Sequence, residues 1–467
     1  MSEPPSEPPS ESHPAPVRAS ALFDPLVAAG PVARQVGDDT WLRGMLDFES
    51  ALAAAQADVG LLPWHHARHI ALSCEDDYDL AELGAAAAKS GNPAAPLVRA
   101  LTERVAGRDR EAARHVHRGA TSQDVMDTAA MLVSARARDP LLGELRATAD
   151  RLAVLAAEHA ATVQVGRTLS QYALPVTFGV TAAGWLTSLD AAAEELAALR
   201  FPVQLGGAAG TLASLGEHGT AVLSALAARL GLAEPALPWH SDRTPVLRLV
   251  GALGEVAGAI SGVARSVVAL AQSDVGELRE EGPAGSGGSS TMPHKRNPVA
   301  AVSALACAKQ APGLVADLFA AAEHENQRAA GAWHAEWWPL IQLWRVCGSA
   351  AHWLRTGVDR LAVDAGRMRE NLDRGGGVLL AERVTTELAP VLGRLAAHDA
   401  VTACCHRALE HGTPLAEELA ADRVVGAHLS REAAQRLLDP AGYLGSATVF
   451  VQRALARHRS REDDQCG

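Results

Sequence analysis

The sequence predicts an all-α protein, and three observations predict it. Alanine and leucine dominate while aromatic residues make up only 4%. Apolar residues recur every three to four positions over long stretches, and the Val/Ile/Thr alternation of strands is nowhere sustained. At 467 residues the chain is too long for one ordinary core, so two or three domains are expected.

Taken in order, residues 1–19 are rich in Pro, Ser and Glu and contain no apolar segment, which predicts a disordered tail and no signal peptide. From Asp39 the helical patterns are short and broken by Pro63, Pro93 and Pro96, as in an N-terminal helical domain spanning 20–127. Beyond Pro140, a good first helical residue, Leu141, Leu145, Leu152 and Leu155 fall on one face and begin a longer helix. Leu247, Val250, Leu253, Val256, Ile260, Val263, Val267 and Leu270 keep one face of a helix over 245–278. Similar patterns cover 176–198, 298–322 and 331–360, so 128–365 reads as a central bundle of about five long helices. Residues 360–371 lead into Gly375, Gly376 and Gly377 and a last helical domain over 366–457, with 458–467 as a tail. The apolar faces exceed what one such bundle buries, which predicts a homo-oligomer.

Composition excludes several function classes. A net charge of −12 with no Lys/Arg run argues against a nucleic-acid partner. Six cysteines without a CxxC or framework spacing read as reduced thiols of a cytoplasmic protein. Arg and Glu interrupt every apolar run, so no membrane span is expected. His65 and His69 share a helix face in WHHARHI, yet no carboxylate or cysteine stands nearby at ligand spacing. His65, His66 and His69 therefore read as surface residues, and neither metal nor cofactor is expected. Trp333, Trp337, Trp338, Trp344 and Trp353 at helical intervals read as packing residues, and Cys404 and Cys405 as structural thiols.

Chemistry concentrates in three segments, each polar and each placed before a helix start, where free N–H groups attract anions. The first is His117-Arg118-Gly119-Ala120-Thr121-Ser122-Gln123-Asp124, with Thr121 or Ser122 as cap. The second runs from Gly166 to Pro175, with Pro175 as a first-turn residue. The third, Gly285 to Pro298, is a glycine-rich loop carrying Ser289 and Ser290 into Lys295, Arg296 and Asn297, with Asn297 as cap and Pro298 first in the helix. Such a loop suits a lid that brings a base to an oxyanion site. It lacks the GK[ST] ending of a nucleotide-binding P-loop.

The run GSSTMPHKRNP resembles the signature loop of the fumarase/aspartase superfamily, and the other two segments resemble that family's remaining active-site regions. GATSQDVMDTA, GRTLSQYALPVTFG and RAAGAWHAEW are most similar to the 3-carboxy-cis,cis-muconate cycloisomerase branch. The resemblance implies a three-domain fold whose central five-helix bundles form a 20-helix core in a homotetramer, with each active site shared by three chains. It implies a di- or tricarboxylate substrate and β-elimination through an aci-carboxylate carbanion. Ser289 would be the base, Lys295 and Asn297 would hold the carboxylate that takes up the charge, and Thr121, Ser122 and Gln171 would bind the rest of the substrate. Arg328 is a further carboxylate-binding candidate, and His117 stands where adenylosuccinate lyases keep a functional histidine.

The sequence departs from its relatives at the acid. Leu169 follows GRT where many carry histidine, Tyr172 replaces the histidine of the cycloisomerase pattern, and Gln327 stands where an acidic residue is common. A leaving group that departs as a stable anion is therefore expected: a carboxylate, as in opening the muconolactone ring, or nitrite. Tyr172 and Gln327 tilt the reading towards nitrosuccinate, giving fumarate and nitrite. A carboxymuconate cycloisomerase, an adenylosuccinate-type C–N lyase and an inactive structural homologue are the alternatives.

Overall fold

The computed structural model describes residues 22–283, 287–288, 291–292 and 294–466, with 462–466 described by backbone alone. The tail at 1–19 and the candidate base Ser289 lie outside the described residues.

Helix dominates, as the periodicity predicts. Apolar side chains gather in three clusters. One is built on helix Asp38–Asp58, whose Leu46, Phe48 and Leu52 pack with Ile70 of helix Trp64–Cys74 and Leu97 and Leu101 of helix Ala94–Arg108. Asp38 and Asp39 in its first turn complement the helix dipole. The second is the central bundle, formed by helices Ser122–Glu158, Phe178–Ala197, Thr244–Leu270 and Ala332–Asp359 around Leu145, Leu186, Leu253, Ile260 and Trp344. The third lies between Val384 and Ala434. Along helix Ser122–Glu158 the side chains change clusters between Ala129 and Ala130, so one rigid rod belongs to two cores.

Several boundaries differ from expectation. Pro140 does not begin a helix; it lies inside the 37-residue helix Ser122–Glu158. Its interior cost of about 3 kcal/mol is offset by burial of Ala137, Leu141, Leu142 and Leu145 around it. The 298–322 stretch divides into Val299–Ala308 and Ala311–Ala321, because Pro312 supplies no N–H to continue the first helix and suits the first turn of the second. Helix Thr244–Leu270 stops short of 278, and the chain turns into strand Leu278–Glu280, which pairs antiparallel with Leu361–Val363. A second antiparallel pair, Val163–Thr168 with Gln171–Thr177, precedes helix Phe178–Ala197. Residues 458–466 continue helix Ala447–Cys466 rather than leaving it as a tail, and His458 pairs with Asp190 and Asp150 and Arg461 with Asp190, which docks the helix on the bundle at those two residues.

The membrane reading also needs correction. Helix Thr244–Leu270 and the stretch Val299–Ala321 are long and apolar enough, by length and composition, to cross a bilayer, because their few charges are widely spaced. Only about half or less of each apolar window is buried within one chain. On helix Thr244–Leu270 a Cβ added at Gly251, Gly258 or Gly262 would meet nothing within 4 Å, so this face stands open.

Candidate active site

The long helices decide which candidates can meet. Segment one leads into the N-terminus of helix Ser122–Glu158, and the hairpin that carries segment two begins at Val163, five residues beyond its C-terminus. Thirty-seven residues rising about 1.5 Å each separate them by about 55 Å within one chain. The bundle thus places candidate segments at two ends.

At the first end, Thr121 caps the helix in a reciprocal capping box, its own N–H donating to Asp124 Oδ2 at 2.9 Å. Ser122 follows as the first helical residue. Asp124 is fully buried and also accepts from Gly206 N, Gly207 N and His240 Nε2 at 2.9, 3.0 and 2.7 Å. This carboxylate fixes the 206–207 turn against the helix start. The turn requires glycine, since a Cβ at Gly207, where φ is +67°, would approach Gly119 O to 3.0 Å. Arg328 lies on the same turn, donating to Ala208 O at 3.2 Å, while its buried Nε has no hydrogen-bond partner among the described residues.

His117 belongs to this end as well. Its Nδ1 lies 2.6 Å from Oε1 of Glu49, which is 1% exposed on helix Asp38–Asp58. Burial disfavours the imidazolium, but the Glu49 charge and hydrogen bond, helped by Asp124, outweigh it and hold His117 above its ordinary value. Beneath lies a buried ion network. Arg243 donates to both oxygens of Asp127 at 2.9 and 3.0 Å and to both of Glu336 at 2.9 and 2.6 Å. Asp127 also accepts from Gln123, Gln204 and Trp333 Nε1. Burial opposes the Arg243 charge, and the two carboxylates more than restore it.

At the second end, Gln171 opens the outer strand of the 163–177 hairpin, exposed, beside a tip in which Leu169 and Ser170 both adopt positive φ. Pro175 does not start a helix; it pairs with Val165 within the hairpin. The hairpin root is bolted to buried Glu277, which accepts from Gln164 at 2.7 Å, Arg167 at 2.6 and 3.0 Å and Asn371 at 2.8 Å. Three residues on, Glu280 accepts from Ala300 N at 3.0 Å and Ala301 N at 3.2 Å. That neighbouring carboxylate caps helix Val299–Ala308, so Asn297 is not the cap and Pro298 is not its first residue. Asn297 instead donates its backbone N–H and side-chain Nδ2 to Gly287 O at 2.8 and 3.0 Å, pinning the two sides of the loop together. A Cβ at Gly287 would lie 2.6 Å from Asn297 O. Lys295 is exposed on this loop.

His117, Thr121, Ser122 and Arg328 therefore share one end of the bundle, while Gln171, Lys295 and Asn297 share the other. Glu49, Asp124, His240, Arg243, Glu277 and Glu280 were missed as supports. The Thr121-x-x-Asp124 pattern signals a capping box, and Glu49 stands out as a charge on an apolar face. The Glu277 and Glu280 contacts leave no local trace.

Two families match: residues 27–313 match one described as "Lyase", and residues 377–454 match "Adenylosuccinate lyase C-terminus". The chain is 45% identical to a 3-carboxy-cis,cis-muconate cycloisomerase of Pseudomonas aeruginosa, covering 95% of this chain and 98% of that protein. It is 43% identical to a nitrosuccinate lyase of Streptomyces davaonensis, covering 93% and 94%. The crystal structure of the 3-carboxy-cis,cis-muconate lactonizing enzyme from Pseudomonas putida superposes with a TM-score of 0.88 at 42% identity, covering 94% of this chain and 99% of that one.

Proposed function

The chain belongs to the fumarase/aspartase superfamily of lyases, and from that premise we propose that it interconverts a carboxymuconate and its lactone. A substrate carboxylate oxygen bonds to the carbon β to a second carboxylate while a proton joins the α carbon; the reverse breaks the C–O bond and removes that proton. Ser289 is the base in the opening direction, Lys295 and Asn297 support the charge that collects on the α-carboxylate, and Thr121, Ser122, Gln171 and Arg328 hold the remaining carboxylates. His117, whose pKa Glu49 raises against burial, stands at the same end as Thr121, Ser122 and Arg328.

The observation that carries this reading is the near full-length similarity to cycloisomerases in sequence and fold. A carboxylate departs as a stable anion, so the loss of an imidazole at Leu169 and Tyr172 does not count against it. Tyr172 and Gln327 favour a second reading, elimination of nitrite from nitrosuccinate to give fumarate, which the similar identity to a nitrosuccinate lyase supports.

Either reaction requires both ends of the bundle, so the working unit is a homotetramer in which three chains complete each site. Antiparallel neighbours bring opposite ends together, and the open Gly251/Gly258/Gly262 face allows such close helix packing. The test is a parallel assay of the purified protein with 3-carboxy-cis,cis-muconate, nitrosuccinate, adenylosuccinate and aspartate, with Ser289→Ala as control. Lactone formation, reduced on the order of 10²–10⁴-fold in the variant, is expected. Nitrite with fumarate as the sole products would replace the first reading by the second, and turnover of none of the four would overturn both.

A further inference from the structure

A cluster on the N-terminal face takes no part in this chemistry. His65 and His66, in the first turn of helix Trp64–Cys74, and Asp109, ahead of the turn Ala112–His115, bring one ligand atom each to within 4.8 Å of one another. His66 Nδ1 already lies 3.0 Å from Asp109 Oδ2. His69, one turn further along, puts Nε2 3.9 Å from the same oxygen.

Asp109 is built to present that oxygen. Its Oδ1 accepts from Glu111 N at 2.9 Å and Ala112 N at 3.2 Å, so the carboxylate is fixed by backbone while Oδ2 faces the histidines. The His66 ring is held between others, with the His115 ring stacked at 5.5 Å and the His65 ring 4.0 Å away between centroids. The two backbone bonds to Oδ1 orient this carboxylate in the way that supporting hydrogen bonds orient metal ligands. The sequence hides it, because Asp109 stands 43 residues from His66.

We propose that His65, His66 and Asp109 form a binding site for a divalent transition metal of the zinc class. Metal–ligand bonds near 2.0–2.1 Å in a tetrahedron set ligand atoms roughly 3.3 Å apart. The His66–Asp109 pair has that spacing, and rotation of exposed His65 supplies the rest. Two imidazoles and one carboxylate suit Zn²⁺, Co²⁺, Ni²⁺ or Cu²⁺ better than Ca²⁺ or Mg²⁺, which prefer oxygen throughout. Solvent or His69 completes the shell. A bound ion ties helix Trp64–Cys74 to the segment that continues into the 117–121 loop, and so stiffens the support of the first end from outside it.

The test uses the full-length protein after chelator treatment, titrated with ZnCl₂ by calorimetry and with CoCl₂ by visible absorption, beside His65→Ala and His66→Gln. Expected are binding near one ion per chain, tighter than about 10 μM, and a Tm that rises with Zn²⁺. Affinity should fall on the order of 10-fold or more in each variant, with the far-UV circular dichroism unchanged. His65 is exposed, so His65→Ala reports even if His66→Gln misfolds. Equal binding by the parent and His65→Ala, or no binding by the parent in this range, overturns the proposal.

Discussion

The two ends of the central bundle solve the problem of holding polar groups in different ways. At the first end, Asp124, Asp127, His240, Arg243 and Glu336 are all buried and bonded to one another or to backbone, making a fixed floor under Thr121, Ser122 and Arg328. At the second, the buried anchors Glu277 and Glu280 lie at the roots, while Gln171 and Lys295 stand exposed beyond them. A fixed, buried polar floor and a set of exposed groups on anchored roots lie about 55 Å apart, at opposite ends of one helix.

The sharpest way to break this comparison is to inactivate the halves separately. His117→Ala damages the first end and Ser289→Ala removes the proposed base, and in the homotetramer proposed above each variant alone should have little activity. Tetramers reassembled from a mixture of the two contain some sites whose first end and Ser289 both come from undamaged chains. Activity in the mixture well above either parent is expected, against protein refolded alone as control. If mixed assembly is verified by mass and no activity returns, both ends do not contribute to one site.

A second test separates floor from arms by stability. Arg243→Leu takes the shared cation away from the buried carboxylates Asp127 and Glu336, a change that typically costs about 3–5 kcal/mol, and urea unfolding should register a loss of about that size. Lys295→Ala removes an exposed charge that has no side-chain partner among the described residues, and should leave the unfolding free energy within about 0.5 kcal/mol of the parent. Equal losses would erase the distinction between the two ends.

The same contrast explains what could be read from the sequence. The helices were legible because residues such as Leu247, Val250, Leu253 and Ile260 repeat one local geometry, and segment one was legible because a capping box is local. Segment two read as a helix start, whereas it forms a hairpin anchored by Arg167 on Glu277, 110 residues away. Asn297 read as a cap, whereas Glu280 caps that helix across 20 residues. Pro140 read as a boundary, although burial on both sides carries the helix through it. Where a long-range partner satisfies the backbone or a charge, local pattern loses its meaning.

The smallest expected effect tests whether the first end is tuned as well as fixed. Glu49 and Asp124 raise the His117 pKa against burial, so the folded protein binds this proton more tightly than the unfolded chain. Its contribution to stability is therefore fully present below the ordinary histidine value near 6.5 and is lost as pH rises through the raised folded value. Glu49→Gln removes the Glu49 charge and leaves burial, which lowers the pKa, so the imidazolium should be lost at lower pH. The His117 titration followed by NMR, and the basic limb of kcat/KM against pH, should both move down relative to the parent. A shifted titration with an unshifted limb would confine His117 to supporting the loop, whereas a shift of both would make its charge part of substrate binding.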